Sequence, residues 1–269
     1  MPDRDVLELL RGHDAAVFAA GADDRVTPKA PAREFYFDAN VRACVRFFSL
    51  AKRAGIKRGV LLGSYFAHFA RIWPELELAK HHPYIASRLA QEEESFAAAL
   101  PDLELCCLEL PYIFGTMPGR RPLWTPLVRY VSRTPVIFFP RGGSNMVAVE
   151  HVAEAVVGAV ERGRAGASSL VGDENVCWRD WLGRISELAG RKKPVVTIPD
   201  SMARASARLV RLRHRLAGRE GGLDPVEFTK VQTRETFFDP EPARRELGFG
   251  CDGLDAALAE TVKASLARE

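Results

Sequence analysis

The 269-residue sequence lacks the patterns that mark several classes of protein. Its first residues, MPDRDVLELL, have neither the basic nor the apolar segment of a secretory signal. No run approaches the roughly 18 uncharged apolar residues that a membrane span requires. Basic residues number 38 against 35 acidic ones, so charge alone does not indicate a nucleic-acid partner. The sequence therefore predicts a globular cytoplasmic protein with no membrane or nucleic-acid partner.

Patterns typical of metal or disulfide sites are also missing. The five cysteines include no C-x-x-C pair. Cys106 and Cys107 are adjacent in an apolar, strand-like run, so their side chains should point to opposite faces and cannot share a metal ion. We interpret His81 and His82 as loop residues, because no third ligand lies near them in the sequence. These observations favour a reduced compartment and no metal site.

The first part of the sequence alternates between apolar runs and helical patterns. Strand-like runs occupy residues 13–21, 59–64 and 103–115, and helical patterns occupy residues 32–54 and 83–100. Apolar strands without polar alternation, separated by helices, are typical of a parallel sheet buried on both faces. The pattern predicts an α/β protein with strand–helix–strand crossovers.

The second part is more irregular. Five prolines punctuate residues 116–143, which is typical of loops around a ligand. Helical patterns follow at residues 150–162 and 178–189, with strand-like runs at residues 168–172 and 194–199. We therefore divide the chain into residues 1–115 and a mixed remainder, residues 116–269.

The stretch GFGCDG, residues 248–253, has the G-x-G-x-x-G spacing of a dinucleotide-binding loop. It follows a helical pattern rather than a strand, and only 16 residues follow it, too few for a strand–helix–strand unit. Gly248 suits the end of one helix, and Asp252 could cap the next. We interpret the stretch as two helix ends that meet.

Three local features could carry chemistry. Ser64 ends the second strand, where open parallel sheets place ligands, although serine commonly caps a following turn. Tyr84 and Arg88 are four residues apart and share a helix face, although the tyrosine could simply be packed with the arginine in solvent. The third run ends in LPYIFG, whose Pro111 and Gly115 leave backbone groups free for a ligand.

In this order the segments resemble the extended short-chain dehydrogenase/reductase family, also called the NAD-dependent epimerase/dehydratase family. The resemblance covers nearly the whole chain. It rests on DAAVFAAGA, NVRACVRFFSLAKRAGIKRGVLLGS, HPYIASRLAQEEE, LPYIFG, MVAVEHVAEAVVGAVERG and DPEPARRELGFGCDGLDAALAETV. It implies a Rossmann-type doubly wound parallel sheet, here N-terminally incomplete, with a smaller C-terminal substrate-binding part. Residues 1–115 would be a partial dinucleotide-binding part with strands 4 to 6 of the family, and residues 116–269 a mixed remainder with a substrate-binding lobe.

The resemblance also implies a cofactor, NAD or NADP, and a set of site residues. Cofactor-binding positions are Ala19, Ala20, Gly21, Tyr84, Arg88, Pro111, Tyr112 and Ile113. Catalytic positions are Asn40, Ser64, Tyr84 and Arg88. Tyr84 would be the general acid/base and Ser64 would hydrogen-bond the same substrate oxygen. Arg88 stands where the family has a lysine that holds the nicotinamide ribose and favours the phenolate, and its fixed charge has the same sign.

The implied activity is oxidation, reduction, epimerisation or dehydration at a carbinol or carbonyl centre of a small molecule. A nucleotide sugar is one substrate class, and a carbonyl compound of the dihydroflavonol kind is another. Family members often form homodimers, which makes a homodimer possible here. The alternative is a non-enzymatic relative that senses the cofactor or acts as a scaffold.

The sequence departs from the family at its start. The family begins with a strand, a Gly-rich turn and two further strands, roughly 60 residues in all. This sequence opens at what resembles the connection into the fourth strand, which leaves AAVFAAG as an apolar edge strand prone to aggregation. One hypothesis is that Met1 is an internal methionine of a longer reading frame. The other is a short protein that has lost cofactor binding.

One basic segment lies outside the motifs of the resemblance, namely SMARASARLVRLRHRLAGR, residues 201–219. Its arginines and leucines form two separate stripes on a helix. The arginine stripe holds Arg204, Arg208, Arg211 and Arg215, and the leucine stripe holds Leu209, Leu212 and Leu216. The segment could grip a diphosphate-bearing substrate, lie on an anionic membrane or touch RNA. A solvated basic face is the interpretation we favour, since such charge runs are usually exposed.

Overall fold

The computed structural model describes residues 1–267, and the elements alternate along the chain as the sequence predicts. The strands are β1 (Ala15–Phe18), β2 (Arg58–Ser64), β3 (Glu104–Leu110), β4 (Tyr112–Phe114), β5 (Ile137–Pro140), β6 (Gly143–Ala148), β7 (Ser168–Leu170), β8 (Glu174–Cys177), β9 (Val195–Ile198) and β10 (Glu235–Thr236).

The helices connect these strands. They are α1 (Asp3–Leu10), α2 (Ala32–Tyr36), α3 (Ala43–Arg53), α4 (Tyr65–Ile72), α5 (Leu78–His81), α6 (Pro83–Ala99), α7 (Thr125–Arg133), α8 (Val149–Arg162), α9 (Trp178–Leu188), α10 (Asp200–Leu216), α11 (Pro225–Gln232), α12 (Glu241–Leu247) and α13 (Leu254–Leu266). A π-helical turn, Phe37–Arg42, joins α2 to α3, so the predicted long helix is continuous but not α-helical throughout. A 3₁₀ turn covers Pro74–Leu76.

The first sheet is parallel throughout, with strand order β1-β2-β3-β7. The α/β class and the Rossmann-type parallel sheet are therefore confirmed. Within residues 1–267, no strand pairs with β1 on the side away from β2. Val17 of this edge strand is 38% exposed, so the apolar edge that the sequence predicts is present.

Helices cover both faces of this sheet, and each face has its own core. Phe48 of α3 belongs to the same buried cluster as Cys107, whereas Ala155 of α8 belongs to the cluster that contains Cys106. The two cysteines thus lie on opposite faces of β3, as the alternation of side chains along a strand requires. Their separation excludes a shared metal ion.

Pro111 divides the third predicted strand into two. The sequence predicts one strand over residues 103–115, but β3 belongs to the first sheet and β4 to a second, with order β10-β6-β4. Proline has no N–H to donate to a ladder, so the parallel pairing with β2 ends before it. The single strand is therefore wrong, and the chain changes sheets at this residue.

The later part of the chain contributes to both sheets. β7 pairs with β3, and α8 packs on β2 and β3, so residues beyond 115 complete the layers of the first sheet. A separate core of residues such as Phe114, Trp178 and Trp181 surrounds the second sheet. The division at residue 115 stays a prediction.

GFGCDG joins two helices, as predicted. Gly248 ends α12 with a φ of 73°, a left-handed conformation that favours glycine. The expected cap by Asp252 is wrong, because Gly253 holds the N-cap position of α13 and the Asp252 side chain is 97% exposed. Gly250 N donates to Glu154 Oε2 at 2.8 Å, which fastens the connection to α8.

None of the helices in residues 1–267 combines the length and the hydropathy that crossing a bilayer requires.

Candidate active site

The carboxyl ends of β1, β2 and β3 open into one cleft of about 280 Å³. Open parallel sheets bind ligands at this edge. Apart from Asn40, every site residue that the sequence analysis named lines the cleft. These are Ala19, Ala20, Gly21, Ser64, Tyr84, Arg88, Pro111, Tyr112 and Ile113. The fold thus brings together residues that are almost one hundred positions apart.

Ser64 lies where β2 ends and α4 begins. Its Oγ accepts a hydrogen bond from Phe66 N at 3.4 Å, so it caps the helix while it lines the cleft. The residue is 5% exposed. Because Oγ accepts this bond, its hydroxyl hydrogen remains to be donated to an oxygen atom in the cleft.

Tyr84 is held at the beginning of α6, directly after Pro83. Its backbone N donates to Gly222 O at 2.9 Å, which ties the helix start to the segment between α10 and α11. The ring meets Tyr36 and Phe66 edge-on, with centroids 5.9 and 6.4 Å away. The two rings fix the Tyr84 ring on two sides, and the residue is 7% exposed. The ring is therefore positioned before any ligand arrives.

Arg88 follows one turn later on the same helix face. Its Cζ lies 5.1 Å from the centroid of the Tyr84 ring, and Nη1 donates to Gln91 Oε1 at 2.8 Å. Its Nε is buried and meets no acceptor within the described part of the chain. A buried donor without a partner is costly. Arg88 therefore offers a cation to a ligand in the cleft, while its unpartnered Nε lies beneath the surface of the cleft.

Asn40 lies behind the cleft rather than in its lining. It sits in the π-helical turn, fully buried, and its Oδ1 accepts from Ala22 N at 2.7 Å. Its Nδ2 donates to Ser87 Oγ at 2.9 Å, and Ser87 Oγ donates to Tyr84 O at 2.7 Å. This chain of bonds connects the loop after β1 to the turn that carries the tyrosine. The arrangement makes Asn40 a positioning residue.

Gly21 occupies a position where a side chain does not fit. Its φ is 146°, and a Cβ atom here would lie 2.6 Å from Asn40 Oδ1. Only glycine reconciles this backbone conformation with the closeness of the asparagine. The wall that follows β1 is therefore bare backbone.

The charged loop after β1 is not among the site residues predicted from the sequence. Asp23, Asp24 and Arg25 all line the cleft, as does Trp124 from the turn before α7. The Arg25 guanidinium lies 4.3 Å from the centroid of a Trp124 ring, so the two loops meet across the cleft. The sequence does indicate this loop, because three consecutive charged residues soon after an apolar strand are expected at the ligand-binding end of that strand.

Asp24 is the most perturbed carboxyl group of the cleft. Burial, and then the negative charge of Asp23, raise the pKa of Asp24 from 3.8 to about 7, against an opposing effect of Arg25. The folded protein therefore holds this proton up to about pH 7. A neutral carboxyl group in the cleft can donate a hydrogen bond that a carboxylate cannot.

Because the pKa of Asp24 is raised in the folded protein, the free energy of unfolding should fall as pH rises. Since the folded state binds the proton and the unfolded chain releases it, the free energy of unfolding decreases as pH rises from about 4 to about 7. Asp24→Asn has no such proton, so we expect its free energy of unfolding to fall by about 2 kcal/mol less than that of the parent over this pH range. This value is smaller than the full pKa shift would give, because the side chain is partly exposed and solvent screens it. Urea unfolding at a series of pH values measures it.

Two comparisons make that experiment specific. Burial also raises the pKa of Glu109 to about 7, but Glu109 is present in both proteins, so the difference between them reports Asp24. Asp5→Asn on the exposed helix α1 is the matched control and should leave the pH dependence unchanged. Identical pH profiles for Asp24→Asn and the parent protein would contradict the assignment.

His82 lies between α5 and α6, outside both helices, as the sequence suggested. It is fully buried at the N-cap position of α6, its Nδ1 accepts from Asp224 N at 3.0 Å, and burial lowers its pKa to about 4. It therefore holds the start of α11 against α6. His81 ends the short helix α5. Across residues 1–267, no three His, Cys, Asp or Glu side chains gather to hold a metal ion.

The chain was compared with known proteins. No family model matches it. It is similar to a Synechocystis sp. protein named as a dihydroflavonol 4-reductase, with 23% identity over 243 residues that cover 86% of this chain and 70% of that protein.

Solved structures share its fold. A nucleoside-diphosphate-sugar epimerase from Pseudomonas aeruginosa matches with a TM-score of 0.68 and 21% identity, over 97% of this chain and 79% of that one. A dTDP-glucose 4,6-dehydratase from Streptomyces venezuelae, solved with NAD, matches with a TM-score of 0.63 and 16% identity, over 98% and 76%. RMD from Pseudomonas aeruginosa, complexed with NADPH, matches with a TM-score of 0.68 and 13% identity, over 99% and 86%. The Rossmann-type fold is confirmed.

Proposed function

We propose that this chain, which has the fold of the extended short-chain dehydrogenases/reductases, acts with NAD or NADP on a carbinol or carbonyl centre of a small molecule. The observation that carries the proposal is the convergence of Ser64, Tyr84 and Arg88 in one cleft at the carboxyl ends of parallel strands. The similar proteins support it, since they include a protein named as a reductase, an epimerase and a dehydratase. The dehydratase was solved with NAD, and RMD was solved with NADPH.

The cleft fits the nicotinamide and ribose half of such a cofactor. Gly21 and Arg88 both line the cleft, and the charged guanidinium group suits a ribose hydroxyl group. Pro111 and Ile113 supply an apolar wall for a ring. In a doubly wound sheet the other half of a dinucleotide would extend beyond β1. Residues 1–267 place no strand there, so they supply walls for one half only.

Each of three side chains in the cleft has a separate role in the proposed reaction. Tyr84 Oη gives a proton to the substrate oxygen or takes one from it. Ser64 Oγ donates a hydrogen bond to the same oxygen and stabilises its developing charge. Arg88 places a positive charge 5.1 Å from the centroid of the Tyr84 ring, on the side chain that would exchange the proton. When bound, the nicotinamide cofactor supplies or accepts hydride.

Two substrate classes follow from the similar proteins. A nucleotide sugar agrees with the epimerase and the dehydratase, and a carbonyl compound agrees with the reductase. The homodimer that the resemblance implies stays a prediction.

A second function is favoured by the open edge of β1 and by Arg88 in place of lysine. A relative that senses the nicotinamide compound without turning it over needs the cleft but not the complete crevice. The intact pair of Ser64 and Tyr84 favours the enzyme, because capping and packing alone do not require a serine and a tyrosine at these positions.

Binding of nicotinamide mononucleotide tests the site directly. Because the described walls enclose only the nicotinamide half, we expect this chain to bind nicotinamide mononucleotide and NAD with Kd values within about three-fold of each other. Arg88→Leu should weaken both by about ten-fold, since it removes a charged donor. Isothermal titration calorimetry or saturation-transfer NMR measures both values.

The control for that experiment is Arg133→Leu, an exposed arginine at the end of α7 that does not line the cleft. It should leave both affinities unchanged, and Arg88→Lys should retain most of the affinity. If nicotinamide mononucleotide failed to bind, or bound equally well to Arg88→Leu, the assignment of the cleft would be overturned.

A further inference from the structure

The helix α10 turns an apolar stripe toward solvent. Four side chains of this stripe are more than half exposed, namely Met202 (58%), Leu209 (69%), Leu212 (52%) and Leu216 (82%). At about 100° per residue they fall within an arc of about 80° on the helix. The opposite side of α10 packs on the protein through Ala203 and Ala207, which are buried. The leucines therefore do not belong to the core, and this surface contains an exposed apolar stripe in addition to a solvated basic face.

Exposed arginines border the stripe on both sides. By the same helical geometry, Arg204, Arg208 and Arg215 lie along one border and Arg213 lies along the other, all exposed. Arg211 turns inward instead, and its Nη1 lies 3.7 Å from Asp224 Oδ2. The outward surface is thus apolar at its centre and positively charged along its margins.

Negative charge is almost absent from this helix. Its one acidic residue, Asp200, lies in the first turn, where Arg141 donates two hydrogen bonds to it at 3.1 and 2.9 Å. Arg141 also follows directly after β5, which carries an exposed Phe138 beside Val196 of β9. The ion pair therefore joins the start of α10 to a second element with exposed apolar side chains.

We propose that α10 docks this protein on an anionic lipid surface, with the helix axis parallel to the bilayer. The leucine stripe would enter the boundary between headgroups and acyl chains, and the arginines on both margins would meet lipid phosphates. An apolar stripe of this size on one helix is more than scattered exposed leucines require. A basic helix with leucine on its free face is suited to this interface.

The observations favour a lipid surface over nucleic acid. The centre of the surface is aliphatic, and α10 carries no Phe, Tyr or Trp on which a base could stack, while His214 lies on the same side of the helix as the buried Ala203 and Ala207. Phosphates of a nucleic acid would meet arginines at the margins but leucines at the centre. The proposal does not depend on the proposed chemistry, because no residue of α10 lines the cleft.

Vesicle flotation with the full chain tests the docking. We expect binding to vesicles of phosphatidylglycerol and phosphatidylcholine at about 0.1 M salt, weaker binding at about 0.5 M salt, and little binding to phosphatidylcholine alone. The double variant Leu209→Asn, Leu212→Asn should lower the binding constant at least about ten-fold. Arg204→Gln with Arg208→Gln should also weaken binding and flatten its dependence on salt.

Matched variants elsewhere on the surface control for exposure and charge. Leu9→Asn with Val157→Asn changes two side chains that are 63% and 59% exposed on other helices, and it should bind as the parent does. Arg4→Gln with Arg11→Gln on or next to α1 is the charge control. Unchanged thermal unfolding in all variants, by circular dichroism, shows that the fold is intact.

Several results would overturn the proposal. One is failure to bind phosphatidylglycerol vesicles, and another is equal binding to phosphatidylcholine alone. Equal losses in the control variants would place the binding surface elsewhere. A dimer in sedimentation velocity that the double leucine variant dissociates, without vesicle binding by the parent, would assign the stripe to a contact between copies. Binding of an acidic helical peptide or RNA in place of vesicles would assign it to that partner.

Discussion

Replacing Tyr84 by phenylalanine should lower turnover by about 10²- to 10⁴-fold and leave the affinity for nicotinamide mononucleotide within about two-fold. The substitution removes only the phenolic oxygen. The ring still meets Tyr36 and Phe66 edge-on, and the backbone N still donates to Gly222 O. Proton transfer is therefore lost while the shape of the cleft is kept.

Absorbance of the reduced nicotinamide at steady state measures the effect, with nucleotide sugars and carbonyl compounds as two substrate panels. Tyr130→Phe is the control, because Tyr130 is 37% exposed, hydrogen-bonds to the backbone of Phe138 and does not line the cleft. Undiminished turnover in Tyr84→Phe would sink the assignment of the acid/base. Binding of nicotinamide compounds without turnover in either panel would support the non-enzymatic relative.

Asn40→Ala should destabilise the protein by about 2–4 kcal/mol and reduce turnover in the molecules that remain folded. The truncation leaves the N–H of Ala22 without its acceptor and Ser87 Oγ without its donor, and each buried group left unsatisfied costs about 1–3 kcal/mol. The loop after β1 is then no longer fastened to the turn that carries Tyr84. Urea unfolding gives the free energy, and turnover is measured far below the unfolding midpoint.

A double-mutant cycle with Ser87→Ala separates positioning from general loss of stability. Ser87→Ala removes the bond from Asn40 and the bond to Tyr84 O but keeps the bond between Asn40 and Ala22, so we expect a smaller loss. Because the two residues share a bond, the double variant should lose less than the sum of the single losses. Strict additivity would show that the two side chains act independently.

The residues that line the cleft could be predicted because they occur where predicted strands end. Ser64, Gly21 and Tyr112 each follow or end an apolar run, and parallel strands bring those ends to one edge. Pro111 was visible in the sequence, but the third run extends to Gly115 without losing its apolar character. Only the pairing of β4 with β6 shows that the run belongs to two sheets.

Other features depend on contacts between distant parts of the chain. The raised pKa of Asp24 comes from burial in a cleft that Arg25 and Trp124 help to close, about one hundred residues apart. The two stripes of α10 are evident from helical periodicity, yet periodicity does not say which stripe faces the protein. Two small residues, Ala203 and Ala207, decide that orientation because they let α10 pack closely with the leucines outward.

The orientation of Asn40 depends on the number of residues in the π-helical turn at Phe37–Arg42. Such a turn holds one residue more than an α-helical turn, and each residue corresponds to about 100° of rotation. Deletion of a single residue here would still allow one unbroken helix from Ala32 to Arg53, and the remaining residues would keep their side chains. Asn40 would then point about a quarter turn away from Ser87 or from Ala22. A substitution in this helix changes one side chain, whereas an insertion or deletion of one residue changes the direction in which all side chains on one side of the change point.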